Sequence, residues 1–69
     1  MQISHFTDER IAEITGQQSP MTAEERSFLI ANTPTFEECA ETADELSAMG
    51  DVELMRTAYS VWADYASCL

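Results

Sequence analysis

The sequence predicts an all-α fold on three observations. Threonine is followed three residues later by glutamate at Thr22/Glu25 and Thr35/Glu38, the capping-box signature of a helix start. Apolar residues in the last third recur at three- and four-residue steps. Residues that favour turns or end helices divide the chain into four segments; they are Gly16, Ser19-Pro20, Asn32-Thr33-Pro34 and Gly50. Together they predict one domain over residues 1–69, a small four-helix arrangement with a C-terminal antiparallel hairpin.

The first predicted helix begins after Thr7, whose side chain can cap it. Phe6 before the cap and Ile11 after it fit a hydrophobic staple. Gly16 is the natural stop. The second predicted helix runs from the box at Thr22 to Asn32.

An alternative start for the second helix lies slightly earlier in the chain. Ser19 can act as the cap with Pro20 at the first helical position. The sequence leaves both starts open.

The third predicted helix begins at the box Thr35/Glu38 and ends at Gly50. Its apolar residues follow helical spacing and are Phe36, Cys39, Ala40, Ala43, Leu46 and Met49. Because little more than Gly50 separates it from the last helix, we expect the two to form an antiparallel hairpin. That register separates Cys39 from Cys68 by about 9 Å along the hairpin, so we expect two reduced thiols.

The fourth predicted helix is capped by Asp51 and carries two apolar sets. One set is Val52, Met55, Tyr59, Trp62, Ala66 and Leu69, and the other is Leu54, Ala58, Val61, Tyr65 and Cys68. The combined apolar arc is about 200°, more than one facing helix covers. The helix is therefore either central to the fold or offers one side to another chain. We expect Tyr59, Trp62 and Tyr65 to fill the core.

The charge balance narrows the partner classes. Thirteen carboxylates against three arginines, with no lysine, give a net charge of −10. Direct binding to nucleic acid or to an anionic membrane is therefore not expected, because both are held mainly by basic side chains. The first residues lack a basic leader with a long apolar run, and no segment reaches the roughly 20 apolar residues of a membrane span. We expect a cytoplasmic protein.

Catalytic, metal-binding and cofactor-binding patterns are not found. The sole histidine, His5, lies outside the predicted helices, and two separated cysteines with it cannot complete a tetrahedral zinc site. Asp51 and Glu53 lack the twelve-residue calcium loop. Two glycines are too few for a phosphate-binding loop. We expect no enzyme, cofactor or metal site.

The third predicted helix carries the most unbalanced charge. Its acidic face covers about 120° opposite the apolar stripe and consists of Glu37, Glu38, Glu41, Asp44 and Glu45. Glu37 with Glu41, and Glu41 with Glu45, are like-charge pairs that cost about 0.2–0.5 kcal/mol each. The face is either a solvated surface or a docking face for a basic partner.

Two function hypotheses follow. In the first, the acidic face docks on a basic protein surface and can block a nucleic-acid-binding groove, because carboxylates one turn apart approach the phosphate spacing. Small acidic DNA mimics, many of them phage-encoded inhibitors, are similar in size and charge. In the second, the chain is a helical assembly subunit or homodimer that associates through apolar residues of the last helix, namely Leu54, Val61, Trp62, Tyr65 and Cys68.

Overall fold

The computed structural model describes residues 6–67, with side chains up to Asp64. Within that range it contains four α-helices, one 3-10 turn and no strand, so the all-helical prediction is confirmed. The elements are α1 (Asp8–Thr15), α2 (Ala23–Asn32), the 3-10 turn (Thr33–Thr35), α3 (Ala43–Ser47) and α4 (Asp51–Ser67). Helix α1 packs against α4, while α2 contacts α3, the 3-10 turn and α4.

The predicted starts of the first two helices are confirmed. The hydroxyl of Thr7 accepts from the backbone N–H of Arg10 at 3.0 Å. At α2, the hydroxyl of Thr22 accepts from the N–H of Glu25 at 3.1 Å, and the Glu25 carboxylate accepts from the N–H of Thr22 at 2.8 Å. Of the two possible starts for the second helix, the structure uses Thr22. Local side-chain signals therefore fix both helix starts.

Gly16 ends α1 through a close approach of the backbone. A Cβ atom at this position would lie 2.9 Å from the carbonyl oxygen of Ala12, to which the Gly16 N–H donates. The left-handed residue of this turn is Gln17, with φ 60°. Glycine is therefore required here for space and not for a positive φ.

The third predicted helix is wrong in its start and its length. Residues 36–42 are irregular, and α3 covers only Ala43–Ser47. Its capping box is Thr42/Glu45, in which the Thr42 hydroxyl accepts from the Glu45 N–H at 3.2 Å and the carboxylate accepts from the Thr42 N–H at 2.9 Å. Thr35 instead ends the 3-10 turn.

Two physical reasons favour the later start. A helix from Thr35 would place Glu37, Glu41 and Glu45 one turn apart, and like charges at that spacing destabilise a helix. The extended backbone of Phe36 (φ −82°, ψ 139°) accompanies an edge-to-face contact with Trp62, whose ring centroid lies 4.8 Å away. The chain therefore gives up two helical turns between residues 36 and 42 while Phe36 packs on α4.

All four α-helices contribute to the core. Its buried residues are Phe6, Ile11, Ile14, Met21, Leu29, Leu46, Leu54, Met55, Ala58 and Val61. Aromatic rings border this cluster, with Phe28 between Phe6 and Trp62 at centroid distances of 6.3 and 6.4 Å. Phe6 lies just before α1, Phe28 in α2 and Trp62 in α4, so these rings connect the start of α1 and the second half of α4 to α2.

Helix α4 buries mainly the apolar set that starts at Leu54, together with Met55 of the set that starts at Val52. Leu54, Met55 and Ala58 are fully buried, whereas Tyr59 is 40% exposed. The expectation that Tyr59 fills the core is therefore wrong, and Trp62 is half-buried. Two overlapping apolar sets made the direction of the buried face ambiguous in the sequence, because both have helical spacing.

The antiparallel hairpin of the last two helices is not confirmed. Helix α3 has five residues and contacts mainly α2. Cys39 is free, and its thiol lies 3.4 Å from the carbonyl oxygen of Glu41. The predicted state of Cys68 lies outside the described residues.

Replacing Leu54 with alanine should lower the free energy of unfolding by about 2–5 kcal/mol, because it removes a fully buried side chain. Tyr59→Ala, at an exposed position of the same helix, should cost less than about 1 kcal/mol. Urea denaturation of both variants at low protein concentration measures the difference. A larger loss for Tyr59→Ala would contradict this orientation of α4.

Candidate interaction surface

Arg10 joins α1 to α2 through a two-pronged ion pair. Its Nε and Nη2 atoms donate to the two carboxylate oxygens of Glu25 at 2.8 and 2.7 Å, and Nη2 also donates to the carbonyl oxygen of Pro20 at 2.8 Å. Glu13, one turn along α1, adds a contact at 3.3 Å. The side chains of Arg10 and Glu25 are each only 20% exposed. The geometry is the bidentate one that makes arginine–carboxylate pairs strong.

The same contacts shift the pKa of Glu25. Hydrogen bonding from the Arg10 guanidinium lowers the pKa of this carboxyl from 4.5 to about 2, outweighing the opposite effect of partial burial. The backbone N–H of Thr22 contributes in the same direction. The pKa of Arg10 is raised, chiefly by its hydrogen bond to Glu25. Both groups are therefore charged across the physiological range.

Arg26 joins α2 to the turn between α3 and α4. Its Nη1 donates to Oδ1 of Asp51 at 2.9 Å, while Nη2 donates to the carbonyl oxygens of Ser47 at 3.2 Å and Met49 at 2.8 Å. The second oxygen of Asp51 accepts from the backbone N–H of Met21 at 2.9 Å. Asp51, expected as a simple cap, is the first residue of α4 and also holds the segment before α2.

These contacts leave most of the negative charge unbalanced. Within residues 6–67, ion pairs involve only Glu13, Glu25 and Asp51. Since the chain has thirteen carboxylates, ten form no ion pair with described residues. Arg56 is exposed and forms none with them either. Two of the three arginines, Arg10 and Arg26, therefore form ion pairs that connect helices and leave little positive charge for the surface.

The five predicted acidic residues do not share one helical face. Glu37, Glu38 and Glu41 precede α3, while Asp44 and Glu45 lie within it. Glu37, Asp44 and Glu45 are exposed, and the other two are half-buried. Glu45 is the acid of the capping box, so its side chain is already used by the backbone. The predicted continuous face with one carboxylate per turn is therefore not formed.

The structure instead places two of these acids beside α4. Glu38 and Glu41 line an open groove of about 410 Å³ together with Asp64. Its remaining lining residues are Ala40, Arg56, Thr57, Ser60 and Val61. Asp64 was missed in the sequence because it is distant along the chain and no local signal links it to residues 38–41. We call this groove, with its three carboxylates Glu38, Glu41 and Asp64, the acidic groove.

The residues of the predicted apolar interface whose side chains are described pack largely within the folded chain. Leu54 and Val61 are buried, and Trp62 contacts the rings of Phe28 and Phe36. The side chains of Tyr65 and Cys68 lie outside the described residues. Leu54 and Val61 are therefore not exposed to a partner in this conformation.

No group of three or more histidine, cysteine, aspartate or glutamate side chains in the described part of the chain is arranged to hold a metal ion. No helix in that part is long and apolar enough to cross a membrane. Comparison with models of protein families, with curated proteins and with solved structures found no match.

Glu25→Gln should lower the free energy of unfolding by about 2 kcal/mol at neutral pH, because it weakens hydrogen bonds between charged groups. Since folding lowers the pKa of Glu25 from 4.5 to about 2, its stabilisation is complete above 4.5 and is lost as the pH falls toward 2. The stability difference between the parent and Glu25→Gln should narrow over that range in urea denaturation. Glu24→Gln, at an exposed neighbour, is the control. A difference that stays constant to the lowest pH would contradict the ion pair.

Proposed function

We propose that this chain is a non-enzymatic interaction module that docks its acidic surface on a basic surface of a partner protein. The acidic groove is the centre of that surface, and the exposed Glu37 and Asp44 extend it. The observation that carries the proposal is the convergence of carboxylates from two separate segments on one groove. A cytoplasmic location is part of the proposal and fits the free thiol of Cys39.

The internal use of arginine supports this function. Arg10 and Arg26 are held by Glu25 and Asp51, so they are not available to neutralise the surface. Arg56 alone among the lining residues of the groove is basic, against three carboxylates. The groove therefore keeps a net negative charge that attracts basic side chains and steers their approach.

Competition with nucleic acid is the mode of inhibition that this surface suits. A partner that uses basic residues to hold phosphates would have the same residues occupied by carboxylates. The predicted helix would have spaced its carboxylates regularly, at a distance close to that between phosphates. The irregular backbone of residues 36–42 does not give this regular spacing. The proposed competition therefore depends on local charge and not on a regular spacing of carboxylates.

The double variant Glu38→Gln/Glu41→Gln should bind a lysine-rich peptide about tenfold more weakly than the parent at low salt, because two surface charge contacts are lost. Isothermal titration calorimetry measures both dissociation constants. The difference should shrink at high salt, since screening weakens exposed charge contacts.

Glu9→Gln/Glu24→Gln is the matched control, because it removes the same charge at exposed helix starts outside the groove. Equal losses for the two double variants would mean that only the overall charge attracts the peptide. Such a result would contradict a local docking site. A natural partner, once isolated, should also bind the Glu38→Gln/Glu41→Gln variant more weakly than the Glu9→Gln/Glu24→Gln variant.

A further inference from the structure

Helix α4 leaves one stripe of its surface uncovered. Glu53, Arg56, Tyr59, Ser60 and Asp64 are exposed, and at 100° per residue they span an arc of about 140°. Tyr59 is the only large apolar side chain exposed among the described residues. Beside it, a groove of about 400 Å³ is lined by Ile11, Thr15, Arg56, Tyr59, Ser60 and Ala63.

Two opposite charges on this stripe lie at equal distances on either side of Ser60. Arg56 lies four residues before Ser60, and Asp64 lies four residues after it. The two side chains are about 12 Å apart along the helix axis, too far to pair within one helix. Neither forms an ion pair with any other described residue. An antiparallel helix centred on Ser60 would present each charge to its opposite.

We infer that α4 pairs with α4 of a second copy of this chain, antiparallel and with Ser60 at the crossing. Arg56 of each copy meets Asp64 of the other, which gives two equivalent ion pairs in a twofold interface. The small side chains of Ser60 and Ala63 let the helices approach closely. Tyr59 supplies apolar area next to the groove. Arg56, Ser60 and Asp64 also line the acidic groove, so this pairing and docking on a basic partner would compete for the same part of α4.

The overall charge sets the strength and salt dependence of the dimer. Each copy carries −10, so long-range repulsion opposes association. Salt screens this repulsion over distances beyond about 10 Å more than it screens the close ion pairs. The dimer should therefore be weak and should tighten with rising salt. Docking on a basic surface has the opposite salt dependence, so the two proposals fail in distinguishable ways.

Sedimentation equilibrium at high salt tests the pairing through charge reversal. The parent should form a dimer, whereas Arg56→Asp and Asp64→Arg should each dimerise at least tenfold more weakly, because like charges then meet at both contacts. An equimolar mixture of the two variants should recover the parent affinity, since each contact in the heterodimer again joins opposite charges. The double variant Arg56→Asp/Asp64→Arg should recover it as well.

Glu24→Arg is the control for Asp64→Arg, because it makes the same charge change at an exposed residue of α2. It should dimerise no more weakly than the parent. A parent that stays monomeric up to millimolar concentration would overturn the inference. So would a mixture of the two single variants that remains as weak as each alone, even where circular dichroism shows both to be folded.

Discussion

The contact between Arg26 and Asp51 is the constraint on which the rest of the fold depends. Arg26 is in the first half of α2, and Asp51 is the first residue of α4. Arg26 also donates to the carbonyl oxygens of Ser47 and Met49. Asp51 also accepts from the backbone N–H of Met21. One polar cluster therefore holds the end of α3, the start of α4 and the segment before α2. With α3 only five residues long, such bonds replace packing that a longer helix would provide.

The two internal ion pairs also explain the surface. A domain of this size buries only about 60% of the surface its unfolded chain exposes, so its apolar core is small. Partly buried bidentate or multiply bonded arginines add stability where the apolar area is limited. Because Arg10 engages Glu25 and Glu13, and Arg26 engages Asp51, the ten other carboxylates form no ion pair with described residues. The negative surface is thus a consequence of where the few cations are used, and both proposed interactions start from it.

The sequence predicts local features better than tertiary ones. Thr7 and Thr22 are correct helix starts because a cap needs only residues within four positions. Thr35 fails because Thr42 offers the same signature seven residues later, and the choice depends on charge repulsion and on the contact of Phe36 with Trp62. The role of Tyr59 and the position of Asp64 near residues 38–41 are set by how α4 is rotated, which periodicity alone does not determine.

A double-mutant cycle at Arg26 and Asp51 tests most directly whether internal ion pairs hold this fold. Arg26→Met, Asp51→Asn and the combined variant should be compared with the parent by urea denaturation. We expect a coupling energy of about 1–3 kcal/mol that persists at high salt, because both side chains are largely shielded and share partners. A coupling energy near zero, with additive losses for the two single variants, would mean that the ion pair between Arg26 and Asp51 does not stabilise the fold.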